Sequence, residues 1–323
     1  MLEKIAIIGA GVSGALLANR IQHQYDVTVL DKARGAGGRI SRLKKGDVCF
    51  DKGAQNFLLK DEQAMGVIQP AINLGIISPW YPSFMVLDGS EEQWVNAQQG
   101  QYFCGYGNLN RVVKWWLEGV RVHYSTCITA LQESGHQWFL MTDKHEHLGP
   151  FDHVVMTQPA QQVLQLAPTF KAALGDVAYS SCMMLYLGLL KPLPPALADV
   201  ILSHQTEVQW IIQNHRKPGM LSSESLTIQS QSHPYAVLKQ FSEALSVQMI
   251  QDIEKIVGQT LHLSLNEQHI WRYATCLNAQ NKGSLWDDER KLGVIGDALG
   301  PNTSSGIESA ILSALDYCHR LLL

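Results

Sequence analysis

Gly9, Gly11 and Gly14, the acid Asp31 and the arginine Arg39 are the residues of this chain whose types and spacing could do chemistry. Gly9-Ala10-Gly11-Val12-Ser13-Gly14 follows the apolar run Ile5-Ala6-Ile7-Ile8 and precedes a small-residue stretch, Ala15 to Ile21. In the order strand, glycine turn, helix, Gly9 permits the tight turn, Gly11 lets the backbone approach a pyrophosphate, and Gly14 lets the helix lie close to the sheet. The helix start then aims its unpaired N–H groups at the phosphates. Asp31 ends a second strand, Asp26 to Leu30, at the distance from which an acid accepts hydrogen bonds from an adenosine ribose.

A second glycine signal says which dinucleotide. Lys32-Ala33-Arg34-Gly35-Ala36-Gly37-Gly38-Arg39 is more than a plain nicotinamide domain needs before its next helix. Gly37 and Gly38 suggest another close backbone approach, and Arg39 offers a fixed fork to two phosphate oxygens. Near the end of the chain, Leu292-Gly293-Val294-Ile295 is an apolar strand that runs into Gly296-Asp297. Asp297 is placed to hold a ribityl hydroxyl or to sit near the pyrophosphate, and the helix opened by Gly306-Ile307 can direct its positive end at a flavin ring.

These residues need a doubly wound lobe to hold them, and the rest of the chain supplies a second one. At 323 residues the chain exceeds the size at which one core keeps growing, so two domains are expected. Hydrophobic residues make up 46% and charged ones 17%, which gives ample core material. A net charge of −4 gives no reason to expect nucleic acid or an acidic membrane surface as partner. Cys49, Cys104, Cys127, Cys182, Cys276 and Cys318 form no Cys-x-x-Cys pair and no metal spacing, and read as reduced core thiols of a cytoplasmic protein. The first strand begins too early to leave room for a signal region, and the longest apolar run, Cys182 to Leu190, is far short of the ~20 residues of a membrane helix.

Without repeats or linkers, the two lobes are expected to interleave. Residues 1–58, 105–160 and 285–323 are assigned to the nucleotide lobe, and 59–104 and 161–284 to the other. Turn signals fall at Pro79, Pro82 and Asp88-Gly89. Arg111 to Leu117 has helical spacing, with Trp115 and Trp116 read as core, and strands follow at Val120 to Ile128, Trp138 to Thr142 and Phe151 to Met156. His145-Glu146-His147 lies between two strands and reads as a solvated hairpin with no converging metal ligands. Beyond Pro159 come strands at Met183 to Leu189 and Val208 to Gln213, and a helix from Glu243 to Val257 stopped by Gly258. The fold class is therefore α/β: a Rossmann-like lobe interleaved with an α+β lobe.

Together these motifs resemble the flavin-dependent amine oxidase superfamily. Leu30 to Ser41, Asp51-Lys52-Gly53-Ala54-Gln55-Asn56-Phe57, Trp210 to Pro218 and Trp271-Arg272-Tyr273-Ala274 are similar to its bacterial renalase branch. The resemblance implies non-covalent FAD and a substrate lobe built on an antiparallel sheet. It implies oxidation of dihydro isomers of NAD(P), with oxygen as acceptor and hydrogen peroxide as product. By position, Val12, Ser13, Asp31, Lys32, Arg39, Ala54, Ile128, Asp297 and Ile307 would contact FAD, together with Gly9, Gly11, Gly14, Gly38 and Gly306. Gln55, Phe57, Trp210 and Tyr273 would lie near the flavin face or the substrate, Gln55 serving both. The chain departs from the branch at Gln229-Ser230-Gln231-Ser232-His233-Pro234-Tyr235, where relatives carry a pocket histidine, and at Ser304-Ser305-Gly306-Ile307-Glu308-Ser309-Ala310, where the expected arginine or second glycine is missing. The alternatives are an oxidase of amines or other small molecules, and a flavin-binding protein without turnover.

Overall fold

A computed structural model describes residues 1–88, 91–95, 101–220, 223–301 and 306–322. Gly89, Ser304 and Ser305 lie outside the described residues.

The apolar runs with β-branched residues pair into a six-stranded sheet in the order Arg121–His123, Asp26–Leu30, Lys4–Ile8, His153–Met156, Leu292–Val294, Leu285–Asp287. The first five run parallel, and the sixth is antiparallel. Ile8 stands opposite both Leu30 and Met156, so the chain leaves three neighbouring strands at one edge, through Gly9, Asp31 and Thr157. In an open parallel sheet this carboxyl edge is where ligands bind. The sheet is buried on both faces, as parallel sheets are. On one side Ile5, Ile7 and Val29 pack with the helices Val12–Ile21 and Gly306–Leu322; on the other Ala6, Ile8 and Val154 pack under a three-stranded meander, Ile128–Ser134, Gln137–Thr142 and His147–Phe151.

The second lobe is a seven-stranded sheet in the order Leu263–Trp271, Cys182–Leu189, Ser225–Ser230, Val208–Gln213, Val200–Ser203, Phe84–Asp88, Glu91–Val95. Every pair is antiparallel except Val200–Ser203 with Phe84–Asp88. The helix Tyr235–Val257 covers one face through Leu238, Met249, Ile253 and Val257.

Three expectations change. The stretch 59–104 does not belong wholly to the second lobe: the helix Glu62–Asn73 buries Ala64, Val67, Ile68 and Ala71, and Phe103 joins them, in the same core as Ile7 and Leu16. Their apolar face needs a partner, and the last helix provides it. The expected strand Val120 to Ile128 is two strands, because Ser125 takes a positive φ of 53° and its N–H and that of Thr126 turn to bond the Ala33 and Asp31 carbonyls. The long helix begins at Tyr235 rather than Glu243, with a kink at Phe241. Trp116 is buried as expected, His145 and Glu146 lie in the hairpin turn, and Gly258 ends its helix in the left-handed conformation. No helix among the described residues is long and apolar enough to cross a membrane.

Candidate cofactor and substrate site

The first glycine turn is shaped by what it touches. Gly9 has φ +119°, and a Cβ there would lie 2.2 Å from Thr157 Oγ1; one on Gly14 would lie 2.1 Å from the Gly9 carbonyl oxygen. A Cβ on Gly11, by contrast, would meet nothing within 4 Å among the described residues. The open position is the one expected to face the phosphates. Gly11 caps the helix Val12–Ile21 without a side-chain hydrogen bond, so the first-turn N–H groups of Val12 and Ser13 have no capping side chain. Such a helix start binds anions.

Asp31 does more than wait for a ribose. Its Oδ2 accepts from the Ala10 N–H at 2.7 Å and its Oδ1 from the Ala33 N–H at 2.7 Å, so the carboxylate ties the glycine turn to the second strand. Each oxygen keeps a second lone pair for a ligand hydroxyl. The second glycine pair is carried to the first: the Gly37 N–H donates to the Ala10 carbonyl at 2.8 Å, and a Cβ on Gly38 would lie 3.5 Å from Gly11 Cα. Lys32 is exposed, with Nζ 3.3 Å from Gln162 Oε1.

Arg39 departs from the expected arrangement. Its two terminal nitrogens donate to the Asp297 carboxylate at 2.6 and 2.7 Å, so the fork meant for a pyrophosphate is filled by an acid of matching geometry. The guanidinium also lies 5.7 Å from the Tyr179 ring centroid, and Tyr273 packs edge-on against Tyr179.

Arg39 lines a cavity of about 520 Å³ between the lobes. Gly53, Ala54, Gln55 and Asn56 line it from the nucleotide lobe. The facing wall is the seven-stranded sheet, where period-two pairs point inward: Phe84 and Val86, Cys182 and Met184, Val200 and Leu202, Trp210 and Ile212. Tyr102, Gln229 and Trp271 complete this part of the lining. Among the described lining residues Arg39 is the one with a charged side chain. Burial pushes the Cys182 thiol up to about 12, which leaves it protonated and without nucleophilic character.

Of the expected site residues, the structure brings Gly9, Gly11, Val12, Ser13, Gly14, Asp31 and Gly38 to one turn, and Arg39, Ala54, Gln55 and Trp210 to the cavity. Four are elsewhere. Phe57 is 4% exposed and stacks on Phe103 in the core; Ile128, the first residue of the meander, is buried in the core beneath it; Ile307 packs against the core around the last helix; Tyr273 packs edge-on against Tyr179 and does not line the cavity. Gly306 begins the last helix, and a Cβ there would meet nothing within 4 Å among the described residues.

A buried pair went unnoticed in the sequence. Lys217 Nζ lies 3.2 Å from Asp51 Oδ2 and donates to Gln55 Oε1 at 2.7 Å, the two charged side chains being 0% and 1% exposed. A lysine in Arg-Lys-Pro-Gly reads as a surface turn, and its acid partner is 166 residues away.

Residues 7–69 match the NAD(P)-binding Rossmann-like domain family. Over 59 residues the chain is 44% identical to a 4,4'-diapophytoene desaturase (4,4'-diaponeurosporene-forming) of Staphylococcus aureus (strain Newman), a match covering 18% of this chain and 12% of the relative. The fold as a whole is similar to that of a putative protoporphyrinogen oxidase from Exiguobacterium sp. 255-15, with TM-score 0.77, 12% identity and coverage of 99% of this chain and 98% of that one. An oxidoreductase from Methanosarcina mazei gives TM-score 0.74 at 12% identity, covering 98% and 100%. A putrescine oxidase triple mutant gives 0.75 at 8%, covering 99% and 98%. At these identities the likeness is one of fold: residues 7–69 form a domain of the NAD(P)-binding Rossmann-like type, within an α/β fold similar over nearly its whole length to those of these proteins.

Proposed function

We propose that this protein binds FAD and is an oxidoreductase that takes a hydride from the uncharged ring of a small molecule. Dihydro isomers of NAD(P) are the substrate class, oxygen the final acceptor and hydrogen peroxide the product. The observation that supports the reading is a pyrophosphate-type turn beside an inter-lobe cavity whose described lining carries a single charge, Arg39, already answered by Asp297.

The residues present fit the cofactor. The open position at Gly11 and the uncapped helix start would take the pyrophosphate, Asp31 a ribose, and Arg39, Ala54 and Asp297 the flavin end. A bound flavin supplies a two-electron acceptor that oxygen can reoxidise. The chain's own part is to position and to keep water out. Phe84, Trp210, Ile212 and Met184 form an apolar wall against which a flat ring can stack, fixing the donor carbon. A dihydronicotinamide already holds the electron pair, so neither a base nor a nucleophile is required, and the protonated Cys182 supplies neither. The ring leaves as the aromatic nicotinamide cation. The hydride's electron pair and proton, with one further proton, end on oxygen. A protonated diamine would need carboxylates in this wall, and the described lining has none.

The test is anaerobic mixing of the purified yellow protein with 2- and 6-dihydro isomers of NAD(P), with NADH and with amines, following flavin absorbance. The isomers should bleach it fastest, and air should restore it with peroxide formed. Colourless protein that cannot be reconstituted with FAD overturns the cofactor assignment, and bleaching by amines alone overturns the substrate class.

A further inference from the structure

We infer that Lys217 is a positioning residue: from the second lobe it locks the Gln55 carboxamide, and through it the 53–56 turn that walls the cavity on the nucleotide side. This rests on the flavin reading above. Three segments distant in sequence meet at this point. Asp51 ends the strand Val48–Asp51, its Oδ1 accepting from the Leu109 N–H at 2.7 Å while its Oδ2 faces Lys217. Lys217 follows the short helical turn Asn214–Arg216, and the next residue's carbonyl, that of Pro218, accepts from the Gly107 N–H at 3.1 Å. Lys217 Nζ also stands 5.9 Å from the Trp80 ring centroid.

Gln55 is the member of this cluster that reaches the cavity. Both hydrogens of its Nε2 are committed, to the Asp51 carbonyl at 2.7 Å and the Gly53 carbonyl at 2.8 Å, and its Oε1 takes the Lys217 ammonium. With no N–H left to offer a ligand, its work is to hold the turn. The turn is in turn pinned to Arg39, whose carbonyl accepts from the Ala54 N–H at 2.9 Å and whose guanidinium grips Asp297. Lys217 therefore connects the second lobe to the wall nearest the cofactor, and an ammonium does this where a methionine of similar length would only fill the space.

The experiment compares Lys217→Met, Asp51→Asn/Lys217→Met and Gln55→Leu in the full chain, reading FAD dissociation constant, absorption spectrum of the bound flavin and unfolding midpoint of the apoprotein. A pair that merely balances charge is repaired by removing both charges, so midpoint, affinity and spectrum would return together in the double variant. The positioning role predicts that the midpoint recovers while FAD binding stays about tenfold weaker, the size of one lost hydrogen bond, with a shifted band. Gln55→Leu, which leaves the ion pair intact, should show the same weakening and shift, and decides the matter alone if the double variant does not fold. Wild-type affinity and spectrum in Gln55→Leu overturn the inference while leaving the flavin reading intact; a wild-type chain that takes up no FAD overturns both.

Discussion

Arg39 grips Asp297 through two parallel hydrogen bonds of 2.6 and 2.7 Å, joining the second glycine turn to the end of the last parallel strand across 258 residues. Asp297 is 5% exposed and Arg39 about a third, so the bridge is desolvated on one side and reached by water on the other. Asp297→Asn keeps one acceptor and removes the charge. The apoprotein should lose about 1–3 kcal/mol, less than for a fully buried pair because water screens the exposed side. Urea unfolding of the two apoproteins measures this, and a loss near zero would mean that the pair is ornamental without cofactor.

Gly11 and Gly14 lie three residues apart and should respond oppositely to a single methyl. At Gly14 the added carbon would lie 2.1 Å from a carbonyl oxygen, so Gly14→Ala must push the helix off the sheet and destabilise the apoprotein by about 1–3 kcal/mol, the usual cost of overpacking. At Gly11 the space is open among the described residues and the backbone is extended, φ −84° and ψ −168°, a conformation alanine adopts freely. Gly11→Ala should leave apoprotein stability unchanged and weaken FAD uptake. Equal losses of stability in both would contradict the assignment of this space to a ligand.

Much of this site was legible because its signals are local. Gly9 to Gly14 and Asp31 announce their geometry within a few residues, since the turn and the helix start are set by glycine and by the strand before it. The cavity wall was half legible: Val208 to Gln213 was expected as a strand, but Trp210-Ile211-Ile212, like Val200-Ile201-Leu202, is apolar at every position, so nothing in one strand says which face meets the other lobe. Arg39 with Asp297 and Lys217 with Asp51 were not legible as pairs, because each joins residues whose proximity exists only after both lobes have closed. Phe57 fell on the wrong side for the same reason, its strand pairing with Tyr102–Gly105 and turning the ring into the core against Phe103.

His269 sits in the strand Leu263–Trp271, edge-on to Trp271 at 4.6 Å, and burial, with the nearby Lys52 ammonium, pushes its imidazole down to about 4. A depressed value means that the folded state binds the proton less readily than the unfolded chain. The resulting stability is whole above the unfolded value, about 6.5, and is lost as pH falls through about 4. His269→Gln should therefore flatten the acid limb of the thermal midpoint between about pH 6.5 and 4. His153 is shifted in the same direction, chiefly by burial, so the difference between wild type and variant, rather than the wild-type curve, isolates His269. Parallel curves would show that His269 titrates normally.

Leu202 points from its strand into the cavity beside Trp210 and Gln229, in a wall without a carboxylate among its described residues. Leu202→Asp places one there. An uncharged dihydronicotinamide ring would then have to share the cavity with a hydrated anion, so KM should rise by about tenfold or more, the equivalent of roughly 1.4 kcal/mol of lost apolar contact. Cofactor content should hold, because the Gly9 to Gly14 turn and Asp31 belong to the other lobe. The same carboxylate can hold one ammonium of a diamine while the other nitrogen, as the free base, leaves its carbon able to give a hydride, so diamines inert toward the parent should begin to bleach the flavin. If the variant instead oxidises dihydronicotinamides with unchanged KM, the ring does not enter between Leu202 and Trp210, and the seven-stranded sheet is not the substrate wall.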